Sequence, residues 1–137
     1  QHQPAVVIAP MDEDRNVLLV RQYRYAVGES LLEAPAGGLE EGETPEVCAQ
    51  RELREEVGYA AQALDLLASF WIAPGYCTEF MYAFWAQGLY VDKLDPDEDE
   101  QIVVERVPLV EASDLIRSGE IRDAKTIAAL LLLQSKL

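Results

Sequence analysis

Residues 37–59 read GGLEEGETPEVCAQRELREEVGY, and this stretch decides both the fold and the chemistry. Two glycines lead towards Thr44 and Pro45. Thr44 is a good N-cap, Pro45 suits the first helical position, and Glu46 favours the positive helix start. The pattern predicts a helix from about Pro45 to Val57, with Gly58 fitting its C-terminal cap. At about 100° per residue, Ala49, Leu53 and Val57 fall on one apolar stripe. Glu52, Glu55 and Glu56 fall within an adjoining arc of about 100°. The helix can therefore pack on a sheet and still hold three carboxylates at the edge of a groove. Crowded carboxylates repel one another unless something positive sits there, and a hard divalent cation is the obvious candidate. Taken alone, such a run is an ordinary solvated face, because Arg51 and Arg54 can pair with the neighbouring glutamates.

The frame around the acids changes that reading. Gly37, Glu43, Arg51, Glu52, Leu53, Glu55, Glu56 and Gly58 stand where the Nudix box has its Gly, Glu, Arg, Glu, aliphatic, Glu, Glu and Gly. Only Tyr59 departs, at a position the motif gives to an aliphatic residue. The chain thus resembles a Nudix hydrolase, an enzyme that cleaves nucleoside diphosphates linked to another group. The resemblance implies an α/β fold: a Nudix-type α/β/α sandwich with a mixed β-sheet.

The rest of the chain bounds this reading. Its 137 residues fit a single domain, 1–137, and half of them are apolar, enough for one core. No apolar run reaches membrane-spanning length, and there is no basic-then-apolar leader at the start, so a cytoplasmic protein is expected. Cys48 and Cys77 make neither a disulfide framework nor a zinc site and read as reduced, with Cys48 a packing residue. The formal charge of −14, from 25 acids against 11 bases, argues against partners such as nucleic acid or anionic membrane. An anionic nucleotide substrate then requires metal ions and a few placed arginines to reverse the potential locally. His2 is the sole histidine, which favours carboxylate and metal chemistry over an imidazole mechanism.

Along the chain, Ala5–Ala9 and Val17–Tyr23 read as strands forming a hairpin about the acidic turn Met11–Asn16. Ala26–Ser30 is a turn, Leu31–Ala34 a short extended piece, and Pro35–Gly42 a glycine-rich loop. Leu64–Trp71, Phe80–Tyr90 and Gln101–Val107 read as further strands. Helices over about Leu109–Ser118 and Ala124–Ser135 close the chain, divided by Gly119. Strands interspersed with three helices suggest a mixed sheet with helices on its faces. Trp71 and Tyr76 read as core aromatics before base-stacking ones.

The segments flanking the box resemble the ADP-ribose pyrophosphatase branch of the family. They are Val20–Arg24, Glu33–Gly37, Pro74 at 16 residues beyond Gly58, and Gly119–Thr126. Residue by residue, the resemblance implies that Glu52 and Glu56 bind metal, that Glu55 helps hold metal or water, and that the Ala36 carbonyl is a further ligand. Arg51 would orient a glutamate, and Glu43 would brace the loop. Arg24 would contact the substrate's phosphates, where an arginine fork suits a diphosphate. Gly38 and Glu79 are placed with it on the substrate side. In the run Asp97–Glu100, Glu100 is the first candidate for a late acid that binds metal or activates water, with Glu98 the second. The branch further implies Mg²⁺, with Mn²⁺ or another divalent ion as alternatives, and a homodimer. Its N-terminal extension ordinarily contributes to the dimer and to adenine binding, whereas this sequence begins almost at Ala5. The implied reaction is hydrolysis of the pyrophosphate link of ADP-ribose, or a related nucleoside diphosphate sugar, to AMP and ribose 5-phosphate. The alternatives are a Nudix hydrolase of another nucleotide (a sugar nucleotide, a dinucleoside polyphosphate or an oxidised nucleoside triphosphate) and a module that binds ADP-ribose without cleaving it.

Overall fold

Two strands with no polar face sit at the centre of the molecule. β1 (Ala5–Pro10) is buried at every residue, and β2 (Asn16–Arg24) is buried from Val17 to Val20. Strands covered on both sides read as unbroken apolar runs rather than alternating ones, and AVVIA and VLLV are such runs. The computed structural model describes residues 3–94 and 103–137. Successive side chains leave β1 and β2 on opposite faces. Val6, Ile8, Leu18 and Val20 join one apolar cluster, whereas Ala5, Val7, Ala9, Val17 and Leu19 join another.

Each central strand organises its own sheet. β1 pairs antiparallel with β4 (Ala36–Gly38) and parallel with β6 (Phe80–Val91), and β6 pairs antiparallel with β5 (Tyr59–Trp71). This mixed sheet has the order β4-β1-β6-β5. The second sheet is antiparallel, with β2 between β3 (Glu29–Glu33) and β7 (Val103–Pro108). The expected β1–β2 hairpin is therefore absent. Only a bridge between Met11 and Val17 remains of it. The turn itself is well made, since Asp12 Oδ1 accepts from the Asp14 and Asn16 N–H groups at 2.9 Å each. Yet a hairpin would leave two all-apolar strands side by side in one sheet. Parting them gives each its own sheet, and both strands send alternate residues to the α1 side and to the α3 side.

Helix α1 (Pro45–Glu56) covers the Val6–Ile8 face. Thr44 caps it as expected, its side chain accepting from the Val47 N–H at 3.2 Å, and Gly58 follows at φ 77°. Ala49, Leu53 and Val57 are buried on the stripe the sequence predicts, joined by Cys48. Burying a side chain such as Leu53 contributes roughly 2 kcal/mol, so the stripe fixes the helix firmly. Tyr59 packs partly buried against the same cluster and accepts from Arg106 Nη2 at 3.1 Å through its hydroxyl. The departure from an aliphatic residue thus keeps the apolar contact and adds a polar tip.

On the other side, α3 (Ala124–Lys136) buries Ala129, Leu130 and Leu133. The expected helix over 109–118 divides into a 3₁₀ turn, Leu109–Glu111, and α2 (Ala112–Ser118), ended by Gly119 at φ 88°. Sheets between α1 and α3 make the α/β/α sandwich. Two elements exceed the sequence reading. β4 forms within the glycine loop, and β5 starts five residues earlier than expected, at Tyr59.

Candidate active site

The glycine loop and α1 meet at Gly37. A Cβ on that residue would lie 1.9 Å from Glu52 Oε2, so the carboxylate rests directly on the loop backbone. Glu52 is only 7% exposed. Glu56, one turn on, hydrogen-bonds to Glu52 and accepts from the Ala36 N–H at 3.4 Å. Burial, reinforced by the neighbouring Glu52 charge, pushes the Glu56 carboxyl up to about 8. Burial raises Glu52 as well, against the pull of Arg51. A buried acid and a half-buried one, both with raised carboxyls, form a site short of positive charge. Among the described residues, no group of three or more His, Cys, Asp or Glu side chains gathers to hold a metal by itself.

Arg51 sets the geometry of this end of the helix. Its Nε and Nη2 donate to Glu43 at 2.7 and 2.9 Å, a bidentate fork. Nη1 donates to Glu52 Oε2 at 3.1 Å and to Glu55 Oε1 at 3.3 Å, and Nη2 also reaches the Gly38 carbonyl at 3.1 Å. Glu43 in turn accepts from the Glu40 N–H at 2.8 Å, and the fork depresses its carboxyl to about 2. One arginine thereby ties loop, brace and acid together. Glu55 stands apart from the buried pair, at the outer edge of the helix against Arg51.

A cavity of about 450 Å³ opens beside Gly37. Its lining includes Arg24, Ala36, Gly37, Gly38 and Glu79, so residues far apart in sequence share one wall system. Glu79 arrives on the loop between β5 and β6, which its backbone carbonyl closes by accepting from the Ile72 N–H at 3.0 Å. The Arg24 fork is already engaged: Nε and Nη2 donate to Glu33 Oε2 and Oε1, both at 2.7 Å. That pairing raises the Arg24 pKa, with smaller contributions from the Asp123 and Glu56 charges. Glu98 and Glu100 lie outside the described residues.

Several lining residues escaped the sequence reading. Ile72, Asp123 and Lys125 border the cavity, and Glu33 stands behind it, 2% exposed. A signal existed for Glu33, a lone acid in the apolar run Leu31–Ala34, which is either a strand error or a paired buried charge. The expectation for Trp71 and Tyr76 is overturned. They are 54% and 95% exposed, because they flank the surface loop at the far end of the β5–β6 ribbon. Trp71 packs edge-on against Phe80, with ring centroids 4.9 Å apart.

An acid helix under a glycine loop, beside a cavity carrying cationic side chains, defines a hydrolase of phosphate anhydrides. The NUDIX domain family model matches residues 1–130, and the chain belongs to the Nudix family. It is 39% identical to an ADP-ribose pyrophosphatase of Bacillus subtilis (strain 168), over 99% of this chain and 75% of the relative. It is 38% identical to a GDP-mannose pyrophosphatase of Cronobacter sakazakii (strain ATCC BAA-894), over 95% of this chain and 72% of the relative. Its fold matches the crystal structure of an ADP compounds hydrolase with a TM-score of 0.89. That match is 34% identical and covers 98% of this chain and 72% of the other.

Proposed function

We propose that this domain hydrolyses the pyrophosphate bond of ADP-ribose, or of a related nucleoside diphosphate sugar, giving AMP and ribose 5-phosphate from ADP-ribose. The observation that carries the reading is the juxtaposition of the Glu52–Glu56 pair with the Arg24 cavity across Gly37. Relatives named ADP-ribose pyrophosphatase over nearly the whole chain support the substrate class.

The donor set fits a hard divalent ion, Mg²⁺ in the first instance: buried carboxylate oxygens, a nearby backbone strand, and a deficit of positive charge. Glu52, Glu56 and the Ala36 carbonyl would hold it, with Glu55 at the margin. Such an ion supplies neutralisation of the diphosphate charge and activation of the attacking water. The chain's own groups do the rest. Arg24 presents to the cavity the N–H donors that Glu33 leaves free, and these suit phosphate oxygens. Arg51 keeps Glu52 from swinging out of line. Glu79 orients the substrate from the opposite loop, and Gly38 lets the substrate approach the backbone closely. Glu100, or Glu98, takes the proton of the attacking water. We propose a homodimer as the working unit, from the resemblance to the branch, and the cytoplasm as its compartment.

A second sugar nucleotide deserves equal testing, because the GDP-mannose pyrophosphatase relative is almost as similar as the ADP-ribose one. The deciding experiment is a panel of ADP-ribose, GDP-mannose, a dinucleoside polyphosphate and an oxidised nucleoside triphosphate, with and without Mg²⁺. Product identity locates the cleaved bond. AMP and ribose 5-phosphate appearing only with the divalent ion is the expected result. Tight ADP-ribose binding with no cleavage would instead make the domain a sensor.

A further inference from the structure

Gln50 is a polar residue of α1 that none of the roles above uses. Its side-chain amide takes both backbone groups of Ala61. Nε2 donates to the Ala61 carbonyl at 2.8 Å, and Oε1 accepts from the Ala61 N–H at 3.0 Å. Ala61 lies on β5, the end strand of its sheet, and is 4% exposed. Gln50 thus does for that edge what a residue of a further strand would do. Water cannot readily stand in for it on so covered a backbone.

Helical geometry sets Gln50 against the acids. At about 100° per residue, Gln50 lies about 60° to one side of Leu53 and Glu56 about 60° to the other, with Glu52 further round on the Glu56 side. The apolar stripe of Ala49, Leu53 and Val57 runs between them and faces the sheet. On the acid flank, α1 is tied to β4. Arg51 Nη2 donates to the Gly38 carbonyl at 3.1 Å, and Glu56 accepts from the Ala36 N–H at 3.4 Å. On the other flank, Gln50 ties α1 to β5. β4 and β5 are the opposite edges of one sheet, so the helix is pinned at both. Arg54 adds a looser tie on the Gln50 flank, with Nε 3.4 Å from Asp92 Oδ2 and both side chains partly exposed.

Apolar contact is non-directional, so the stripe holds α1 onto the sheet without fixing its rotation about its own axis. The carboxylates stand about 5–6 Å from that axis. A roll of about 10° then moves them by about 1 Å, and a misplacement of that size can cost about a hundredfold in rate. We infer that Gln50 is a positioning residue: from the β5 edge it sets the roll of α1 and so holds Glu52 and Glu56 against the glycine loop. It acts across the width of the helix, with its amide committed to Ala61 and not to either acid. This rests on the diphosphate-hydrolase reading above, in which that acid pair holds the divalent ion.

The test measures Mn²⁺ affinity of the whole chain without substrate, by electron paramagnetic resonance, and then kcat and KM on the substrate chosen by the panel. Gln50→Met keeps the length of the side chain and loses both hydrogen bonds. Mn²⁺ should bind about tenfold more weakly. At saturating ion, kcat should fall about tenfold or more, with KM changing less. The variant should also melt lower, because two covered backbone groups lose their partners, so it is compared with a variant destabilised elsewhere. Thr126→Val serves, since Thr126 Oγ1 accepts from the buried Ala34 N–H beside Glu33 at 2.9 Å. It should melt lower with Mn²⁺ affinity as in the wild type. If Gln50→Met does not fold, Gln50→Glu keeps the acceptor for the Ala61 N–H and should show a smaller loss of Mn²⁺ affinity. Unchanged Mn²⁺ affinity in the folded Gln50 variant, or an equal loss in Thr126→Val, makes Gln50 a strut and overturns the positioning role. Absence of Mn²⁺ binding by the wild type would instead sink the ion-binding reading, and absence of turnover on the whole panel the hydrolase reading.

Discussion

Two acid sites stand behind the same cavity, Glu33 through Arg24 and the Glu52–Glu56 pair through Gly37 and Ala36, and they are built on opposite electrostatic plans. Around Glu33, burial alone would raise the carboxyl, but the Arg24 fork and Lys125 outweigh it and hold the group below its ordinary range. Around Glu52 and Glu56, burial wins, reinforced at Glu56 by the Glu52 charge and at Glu52 by the Glu55 charge, and both carboxyls are raised. Arg51 touches Glu52 but spends its fork on Glu43. One site is thus complete within the protein, and the other is left in want of a cation. A fold can carry both because different elements support them: β3 and α3 close the first, whereas α1 and the glycine loop leave the second open.

The largest effect should come from altering the incomplete site. Glu56→Gln is expected to lower kcat by about a hundredfold or more, since even supporting partners of metal ligands are worth up to that much. The fold should persist, because Gln keeps the shape of the carboxyl and, like its protonated form, carries no charge beside Glu52. Unchanged turnover at saturating Mg²⁺ would remove Glu56 from the ion-binding set. Gly37→Ala sharpens the same point from the loop side. Its methyl group would displace the Glu52 carboxylate, the far end of a side chain that can move. Activity and divalent-ion affinity should therefore fall by roughly tenfold or more, while the melting temperature changes little. A large stability loss with normal ion affinity would show that the glycine serves the backbone and not the acid.

The complete site offers the converse. Thr126→Val keeps the shape of a fully buried side chain but removes the acceptor for the Ala34 N–H. Leaving that donor unpaired should cost about 1–3 kcal/mol in denaturant unfolding. Divalent-ion affinity should stay as in the wild type. A drop in ion affinity equal to that of Gly37→Ala would mean that the two sites are not independent.

How much of this was legible beforehand follows from where the information lies. The α1 boundaries were, because Thr44, Pro45 and Gly58 act on their own backbone neighbours. So was the burial of Ala49, Leu53 and Val57, which period alone sets. The β1–β2 pairing was not: Asp12 to Asn16 make a good local turn, yet the partner of each strand is chosen by which sheet covers it. β4 is three residues of Ala and Gly with no strand propensity, held by pairing with β1 and by side chains of α1 that bond to its backbone. In the site, the acids of α1 and the Arg24 position were visible through their resemblance to a motif. Glu33 and Lys125, 92 positions apart in the chain, meet only in the folded protein, and the lone acid in the run Leu31–Ala34 does not name its partner.

The smallest expected effect is also the most direct measure of the contrast, because it compares the two sites by their protons. Glu56 has a folded pKa raised from 4.5 to about 8. Between those values the native state holds a proton that the unfolded chain has released. Stability of the metal-free protein from this group is therefore full below about pH 4.5 and is lost as pH rises towards 8. Glu33 has the opposite sign: its folded pKa lies below 4.5, so its contribution is present above that value and disappears only as the pH falls through the folded one. In chelator, the melting temperature should decline by a few degrees, roughly 1 kcal/mol, between pH 6 and pH 8. Added Mg²⁺ should raise it more at pH 8 than at pH 6, because the ion competes with the Glu56 proton. Glu56→Gln should flatten both trends, and Glu33→Gln should leave both slopes unchanged. Equal Mg²⁺ stabilisation at the two pH values would mean that the ion does not bind where that proton sits.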